Sequence, residues 1–269
     1  MPRTTHNAID CHAHIFGNHD RYPPKRGSAC APAGATEDEY LDVLEALNLQ
    51  HCVLVQPSLY GTDNRCLLNA LRALGPRARG IAVIDRDTSH DQLLEMHRLG
   101  VRGIRLNILS THEANLDELS DLEELVRPFG WHIQILLRPE NLLASYARIR
   151  QTSTTVVLDH FASLSPRATQ EERTALLELA TRKNIWIKLS APYLFSDCTP
   201  RDLLCYRQLT EQTLQLMADR LLLATDWPHL ALKDKTISTD QLWEMLLGWI
   251  PEDMRNRIIV DNPTRLYGF

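Results

Sequence analysis

His12 and His14 stand two residues apart in the run Ile9-Asp10-Cys11-His12-Ala13-His14. On a β-strand this spacing puts both imidazoles on one face, roughly 7 Å apart at the backbone, so the two rings can converge on one ion or one substrate oxygen. Alone, the pair is equally consistent with two structural histidines. It gains weight from His160 in Leu158-Asp159-His160 and from Asp226, which abruptly ends the apolar run Leu221-Leu222-Leu223-Ala224-Thr225. Three imidazoles and one carboxylate make a competent site for a single Zn²⁺ or similar ion. A carboxylate at the end of an apolar run also suits a general base that takes a proton from water and returns it to a leaving oxygen. The alternative for Asp226 is a loop acid that caps backbone amides.

Other polar residues interrupt or end apolar runs in the same way. Arg105 alternates with apolar neighbours in Gly103-Ile104-Arg105-Leu106, where its guanidinium either grips a carboxylate with two parallel hydrogen bonds or forms an internal salt bridge. Lys188 in Trp186-Ile187-Lys188-Leu189 reads as inward-facing, either as a partner for Asp226 or as a substrate contact. The stretch Gln56-Pro57-Ser58-Leu59-Tyr60-Gly61-Thr62-Asp63-Asn64 offers hydroxyls for a carboxylate or carbonyl oxygen, and is also an ordinary turn leading into a helix. Arg138 follows another apolar run. His132 opens that run, which excludes it from a site built at strand ends. Cys11 should lie on the opposite strand face from His12, in a packing role.

Eight short apolar runs must position these groups. They are Ala8 to Phe16, Cys52 to Pro57, Gly80 to Ile84, Gly103 to Ile108, His132 to Leu137, Thr155 to His160, Ile185 to Leu189 and Leu221 to Thr225. Helical stretches alternate with them: Thr36 to Leu47, Arg65 to Leu74, Asp91 to Arg98, Leu116 to Phe129, Glu140 to Arg150, Gln170 to Arg182, Pro200 to Met217 and Thr239 to Gly248. Capping signals such as Thr36-Glu37-Asp38-Glu39 and Thr169-Gln170-Glu171-Glu172 mark helix starts. Eight βα units in about 250 residues predict an α/β fold, a (β/α)₈ TIM barrel in one domain over residues 1–269, with its chemistry at the C-terminal strand ends. The proline-rich stretch from His19 to Ala35 reads as a long first βα loop over that face.

A formal charge of -5, from 29 basic and 34 acidic residues without a basic block, argues against nucleic acid or an anionic membrane as partner. No apolar run approaches the ~20 residues that span a bilayer, and the first residues lack the apolar core of a secretory signal, so the expected location is the cytoplasm. Cys11, Cys30, Cys52, Cys66, Cys198 and Cys205 have no paired spacing and read as reduced, structural thiols.

Taken in order, the first-strand histidine pair, the Gln56 to Asn64 stretch, Gly103-Ile104-Arg105-Leu106-Asn107, Leu158-Asp159-His160, Lys188-Leu189-Ser190, Thr225-Asp226-Trp227-Pro228-His229 and Asn262-Pro263 resemble the amidohydrolase superfamily. Within it the chain is similar to a group of lactonases for 2-pyrone-4,6-dicarboxylate, sugar lactones and muconolactones. The Gln56 to Asn64 stretch and Arg21-Tyr22-Pro23 carry that finer likeness. The resemblance implies a hydrolase in which His12, His14, His160 and Asp226 either hold one divalent metal, zinc by ligand type, or act without one. It further implies that Arg105, Ser58, Tyr60, Thr62, Tyr22 and His229 hold the carboxylated lactone. Related members carry further arginines after strands four and seven, where this chain reads Ser110-Thr111-His112 and Ala191-Pro192-Tyr193-Leu194. Arg138 is the candidate to replace one of them, a second carboxylate clamp is not assured, and a substrate with a single carboxylate stays open. A metal-dependent decarboxylase or a lactone isomerase is the alternative activity, and oligomeric state is not indicated.

Overall fold

A computed structural model describes residues 7–25, 35–108, 116–232 and 237–269 of the 269-residue chain. Cys30, most of the expected first loop and the Ser110-Thr111-His112 segment lie outside the described residues. Eight parallel strands follow in chain order: β1 (Ile9–Ala13), β2 (His51–Val55), β3 (Ala78–Ala82), β4 (Val101–Ile108), β5 (His132–Leu137), β6 (Val156–Leu158), β7 (Ile185–Leu189) and β8 (Leu221–Leu223). Each pairs with the next, which gives the expected (β/α)₈ barrel.

Helices α1 (Glu37–Ala46), α2 (Arg65–Leu74), α3 (His90–Arg98), α4 (Leu119–Val126), α5 (Leu142–Gln151), α6 (Gln170–Ala180), α7 (Pro200–Met217) and α8 (Thr239–Gly248) fill the gaps. Thr36 and Thr169 cap α1 and α6 in full capping boxes with Glu39 and Glu172, as their sequence signals imply. The expected helix from Leu116 to Phe129 is broken, since only its centre is α-helical and both ends tighten into 3₁₀ turns. Pro128, within the last turn, supplies no backbone N–H to continue the ladder. After α8 the chain adds α9 (Glu252–Asn256) and α10 (Asn262–Tyr267), which no strong periodicity announces. Tyr267 from α10 closes the N-terminal end of the barrel by packing with Ile9, Val53, Ile81, Val157, Trp186 and Leu222.

Strand β1 departs from simple alternation. Its register with β2 slips between Asp10 and Ala13, so Cys11 and His12 on β1 oppose Val53 alone on β2. Asp10 turns outward under α1, where its carboxylate accepts from the Tyr40 hydroxyl at 2.7 Å and from the Thr225 amide at 2.9 Å. The Thr225 hydroxyl donates to it as well, at 2.5 Å. Cys11, contrary to the alternation expected from sequence, joins the interior cluster with Ile9 and Tyr267, and so shares the inner face with His12. The bulge is the cause, because one extra residue resets the side-chain parity. Its role is still packing, as it is completely buried.

No regular ladder joins β8 to β1. The Ala13–Trp227 bridge, the His14 amide on the Trp227 carbonyl at 2.8 Å and the Asp226 amide on the His12 carbonyl at 2.9 Å close the barrel instead. These bonds set Asp226 directly beside the histidine pair. Gly103 on β4 allows a close approach to β5, since a Cβ there would lie 2.7 Å from the His132 ring. His132 itself sits on Tyr267 at the N-terminal end, away from the strand-end site.

Candidate active site

His12 and His14 face one another through their Nε2 atoms, 3.2 Å apart. The Nδ1 of His14 lies 2.8 Å from the Val55 carbonyl. A carbonyl only accepts, so the proton is on Nδ1 and the His14 Nε2 offers a lone pair. His160 sits just past β6 with φ 49°, a left-handed conformation that is costly for a side chain with a Cβ, and its Nδ1 meets the Ser190 hydroxyl at 2.8 Å. Asp226 likewise has φ 62°. These two backbone turns aim the side chains at one another. One Asp226 oxygen, Oδ1, stands 3.6 Å from His12 Nε2, 3.9 Å from His14 Nε2 and 3.7 Å from His160 Nε2.

The electrostatics follow from burial. Desolvation lifts the Asp226 carboxyl to about 7, against the Tyr193 hydrogen bond and the Arg105 charge, which lower it. Burial likewise lowers His14 to about 3, helped by Arg105, and His160 to about 4. His12 is pushed well below the ordinary histidine value by burial and then by the Lys188 charge. All three rings are therefore neutral near pH 7, the form in which imidazole binds a metal.

The donor set fits one small divalent ion. Tetrahedral bonds of about 2.0–2.1 Å place ligand atoms about 3.3 Å from one another, close to the 3.2–3.9 Å among His12 Nε2, His14 Nε2 and Asp226 Oδ1. Among the described residues, ligating side chains gather as His12, His14 and Asp226 and as His12, Asp159 and His160. The first group fits better, since Asp159 is committed elsewhere. It accepts from Gln134 Nε2 at 2.8 Å and lies 3.5 Å from the Lys188 ammonium.

Lys188 does not meet Asp226 and is not placed to touch a substrate, contrary to both options read from the sequence. It is completely buried beneath His12, donates to Gln134 Oε1 at 2.6 Å and lies 3.4 Å from His12 Nδ1. Parity correctly turns it inward, but it stands one layer below the mouth, where Asp159 and Gln134 take its charge and protons. Arg105 is 5% exposed, 3.7 Å from Asp159, and its Nε has no hydrogen-bond partner. It also lines a cavity of about 530 Å³ together with Lys25, Ser58, Tyr60, Thr62 and Asp85. Both readings of Arg105 thus describe part of its surroundings.

The remaining candidates are distributed unevenly. Ser58 accepts a hydrogen bond from Asn107 Nδ2, and the Tyr60 hydroxyl accepts from the Gly17 amide at 3.2 Å. Tyr22 packs its ring where a Gly17 Cβ would stand, and its hydroxyl accepts from Asn69 at 2.7 Å, so it ties the first loop to α2. Arg138 is 56% exposed beside Glu140, at 3.9 Å, and does not join the cluster. His229 is buried with both ring nitrogens engaged, Nδ1 with the Tyr193 hydroxyl at 3.0 Å and Nε2 with Thr239 Oγ1 at 2.8 Å.

Sequence reasoning missed Tyr193, whose hydroxyl donates to Asp226 Oδ2 at 2.7 Å. Tyr193 also borders a second cavity of about 660 Å³ beneath the loops after β6, β7 and β8. Tyr193 thus touches Asp226 and lines this second cavity, while Arg105 lines the other. The only sequence signal for Tyr193 was its place just beyond β7.

The amidohydrolase family model matches residues 9–269, essentially the whole barrel. The chain belongs to the amidohydrolase family. It is 29% identical to a 2-pyrone-4,6-dicarboxylate hydrolase of Comamonas testosteroni over 97% of this chain and 90% of that protein. It is 28% identical to a 4-sulfomuconolactone hydrolase of Hydrogenophaga intermedia over 96% of this chain and 88% of that protein. The crystal structure of a putative 2-pyrone-4,6-dicarboxylic acid hydrolase from Pseudomonas putida superposes with a TM-score of 0.86 at 30% identity, covering 98% of each chain. The resemblance read from the first-strand histidines through Asn262-Pro263 therefore holds at the level of the family. Among the described residues no helix of this amidohydrolase is long and apolar enough to cross a membrane.

Proposed function

We propose that this amidohydrolase opens a carboxylated lactone by attack of water on the ring carbonyl. The observation that carries the reading is the convergence of three imidazole Nε2 atoms on Asp226 Oδ1, beside a cavity lined by Arg105. The relatives named as lactone hydrolases support the same reaction class.

Asp226 takes a proton from water as its oxygen bonds to the carbonyl carbon. The ring C–O bond then breaks, and the departing alkoxide recovers that proton from Asp226, so lactone and water give one hydroxy acid. His12 and His160 are the rings that can turn an Nε2–H toward the oxygen on which negative charge grows, whereas His14, with its proton on Nδ1, offers a lone pair there. Arg105 holds the substrate carboxylate, with Ser58, Tyr60 and Thr62 on the same cavity wall. One divalent ion, zinc by donor chemistry, would be held by His12, His14, His160 and Asp226, where it would polarise the carbonyl and acidify water. The chain then acts on small molecules as one barrel domain in the cytoplasm.

A hydrolysis screen over pyrone, muconolactone and aldonolactone carboxylates, run with and without chelator, tests substrate and ion together. Ring opening to the hydroxy acid supports the reading. Release of CO₂, an isomeric lactone in place of the open acid, or no turnover of any carboxylated lactone would sink it.

A further inference from the structure

Four side chains from three parts of the barrel form one continuous hydrogen-bonded line: Asp226 after β8, Tyr193 after β7, His229 in the β8 loop and Thr239 at the first turn of α8. The protons along it can be placed by counting. Tyr193 has one hydroxyl proton, and Asp226 Oδ2 at 2.7 Å can only accept while ionised, so the proton goes there. The Tyr193 oxygen must then accept from His229, which fixes the proton of that ring on Nδ1. His229 Nε2 is left as an acceptor, and the Thr239 hydroxyl supplies its proton at 2.8 Å. Tyr193 and His229 are both buried, so water does not readily replace either partner.

We propose that Tyr193 and His229 are positioning residues for Asp226, and that His229 acts through Tyr193 instead of binding the substrate. The line occupies Oδ2 and leaves Oδ1, the oxygen that faces the three histidines, as the one free to act on water. Without it the carboxylate could rotate about its χ2 bond and present either oxygen. The strained backbone at Asp226 (φ 62°) and His229 (φ 62°) brackets the same short turn, so the side-chain line and the turn define a single geometry. Thr239 ties that geometry to α8, the helix that follows the loop. This inference rests on the lactonase reading for its kinetic test but not for its spectroscopic one.

Two measurements test it. In ¹⁵N-histidine NMR of the wild-type chain, the resonance lost in His229→Asn should report the Nδ1–H tautomer, the less common one in water. Tyr193→Phe should abolish that preference. A wild-type Nε2–H tautomer would overturn the proposal whether or not any lactone is turned over. On a lactone that the wild type opens, Tyr193→Phe should lower kcat about 10–100-fold while KM moves less than about threefold. His229→Leu should lower kcat in the same way, and His229→Asn, whose amide can stand in for Nδ1–H, should lose less. The Tyr193→Phe/His229→Leu double variant should be no worse than Tyr193→Phe within about twofold. A raised KM in His229→Leu, or losses that multiply in the double variant, would instead mark His229 as a separate substrate contact. Circular dichroism on each variant separates these outcomes from a failure to fold.

Discussion

Lys188 and Asp159 lie 3.5 Å apart with both side chains completely removed from solvent, one layer beneath the ring of His12. A buried pair of this kind gains little over an apolar core, yet removing one partner strands the other charge at a cost of about 3–5 kcal/mol. Lys188→Met should therefore lower the unfolding free energy by about that amount in urea titrations. Lys188→Met/Asp159→Asn should recover part of it. A single-variant loss under about 1 kcal/mol would show that Arg105 and Gln134 carry Asp159 without the lysine.

Asp226→Asn keeps the size of the side chain and the Tyr193 contact but removes the base. The expected result is a kcat on a carboxylated lactone reduced about 10²–10⁴-fold, with an unchanged circular dichroism spectrum. Wild-type turnover in this variant would remove Asp226 from the chemistry.

Arg105→Met removes the guanidinium that lines the 530 Å³ cavity. A charge-assisted hydrogen bond contributes about 1.5–3 kcal/mol, so KM for a carboxylated lactone should rise roughly 10–150-fold. An uncharged lactone should show no such rise. Equal effects on both substrates would mean that Arg105 serves mainly as a neighbour of Asp159.

Asn262 spends its amide on two carbonyls, that of the half-buried Ala218 and that of the buried Leu221, each at 2.8 Å. Asn262→Ala leaves both without that donor and should cost about 1–3 kcal/mol of stability with little change in KM. Thermal unfolding and steady-state kinetics on the same preparation check both halves of that expectation.

Burial, aided by the nearby Lys188 charge, lowers His132 to about 3. Its unfolded value is near 6.5, so between those limits the unfolded chain binds a proton that the folded chain does not. Stability contributed by keeping this ring neutral is thus present above about pH 6.5 and lost as pH falls toward 3, by up to about 1.4 kcal/mol per unit. His132→Gln should have a shallower decline in unfolding free energy between pH 6 and 4 than the wild type. Parallel slopes would show that His132 does not take part in the acid response.

Much of the barrel was legible because its information is local. Apolar runs of strand length alternating with capped amphipathic stretches state the order of β1 to β8, and Thr36 and Thr169 announce α1 and α6 through neighbours only three residues away. His12, His14, His160 and Asp226 were legible as a set for the same reason, since each ends an apolar strand and a barrel brings its strand ends to one face. The C-terminal helix α10 was not, because its order comes from packing against the barrel floor through Tyr267.

What the sequence determined by itself was therefore the fold, the family and the identity of the four converging side chains, all consequences of period, residue type and chain order. Only the tertiary structure decided which layer each polar group occupies. Lys188 and Arg105 both alternate inward on their strands, yet one is sealed beneath His12 and the other reaches a cavity, since parity gives a face but not a depth. The bulge in β1 turned Cys11 inward against that same parity. Tyr193 and His229, 36 residues apart, meet only because the ends of β7 and β8 are neighbours in space. Hydrogen bonds of that kind depend on three-dimensional proximity, which no local pattern in the chain records.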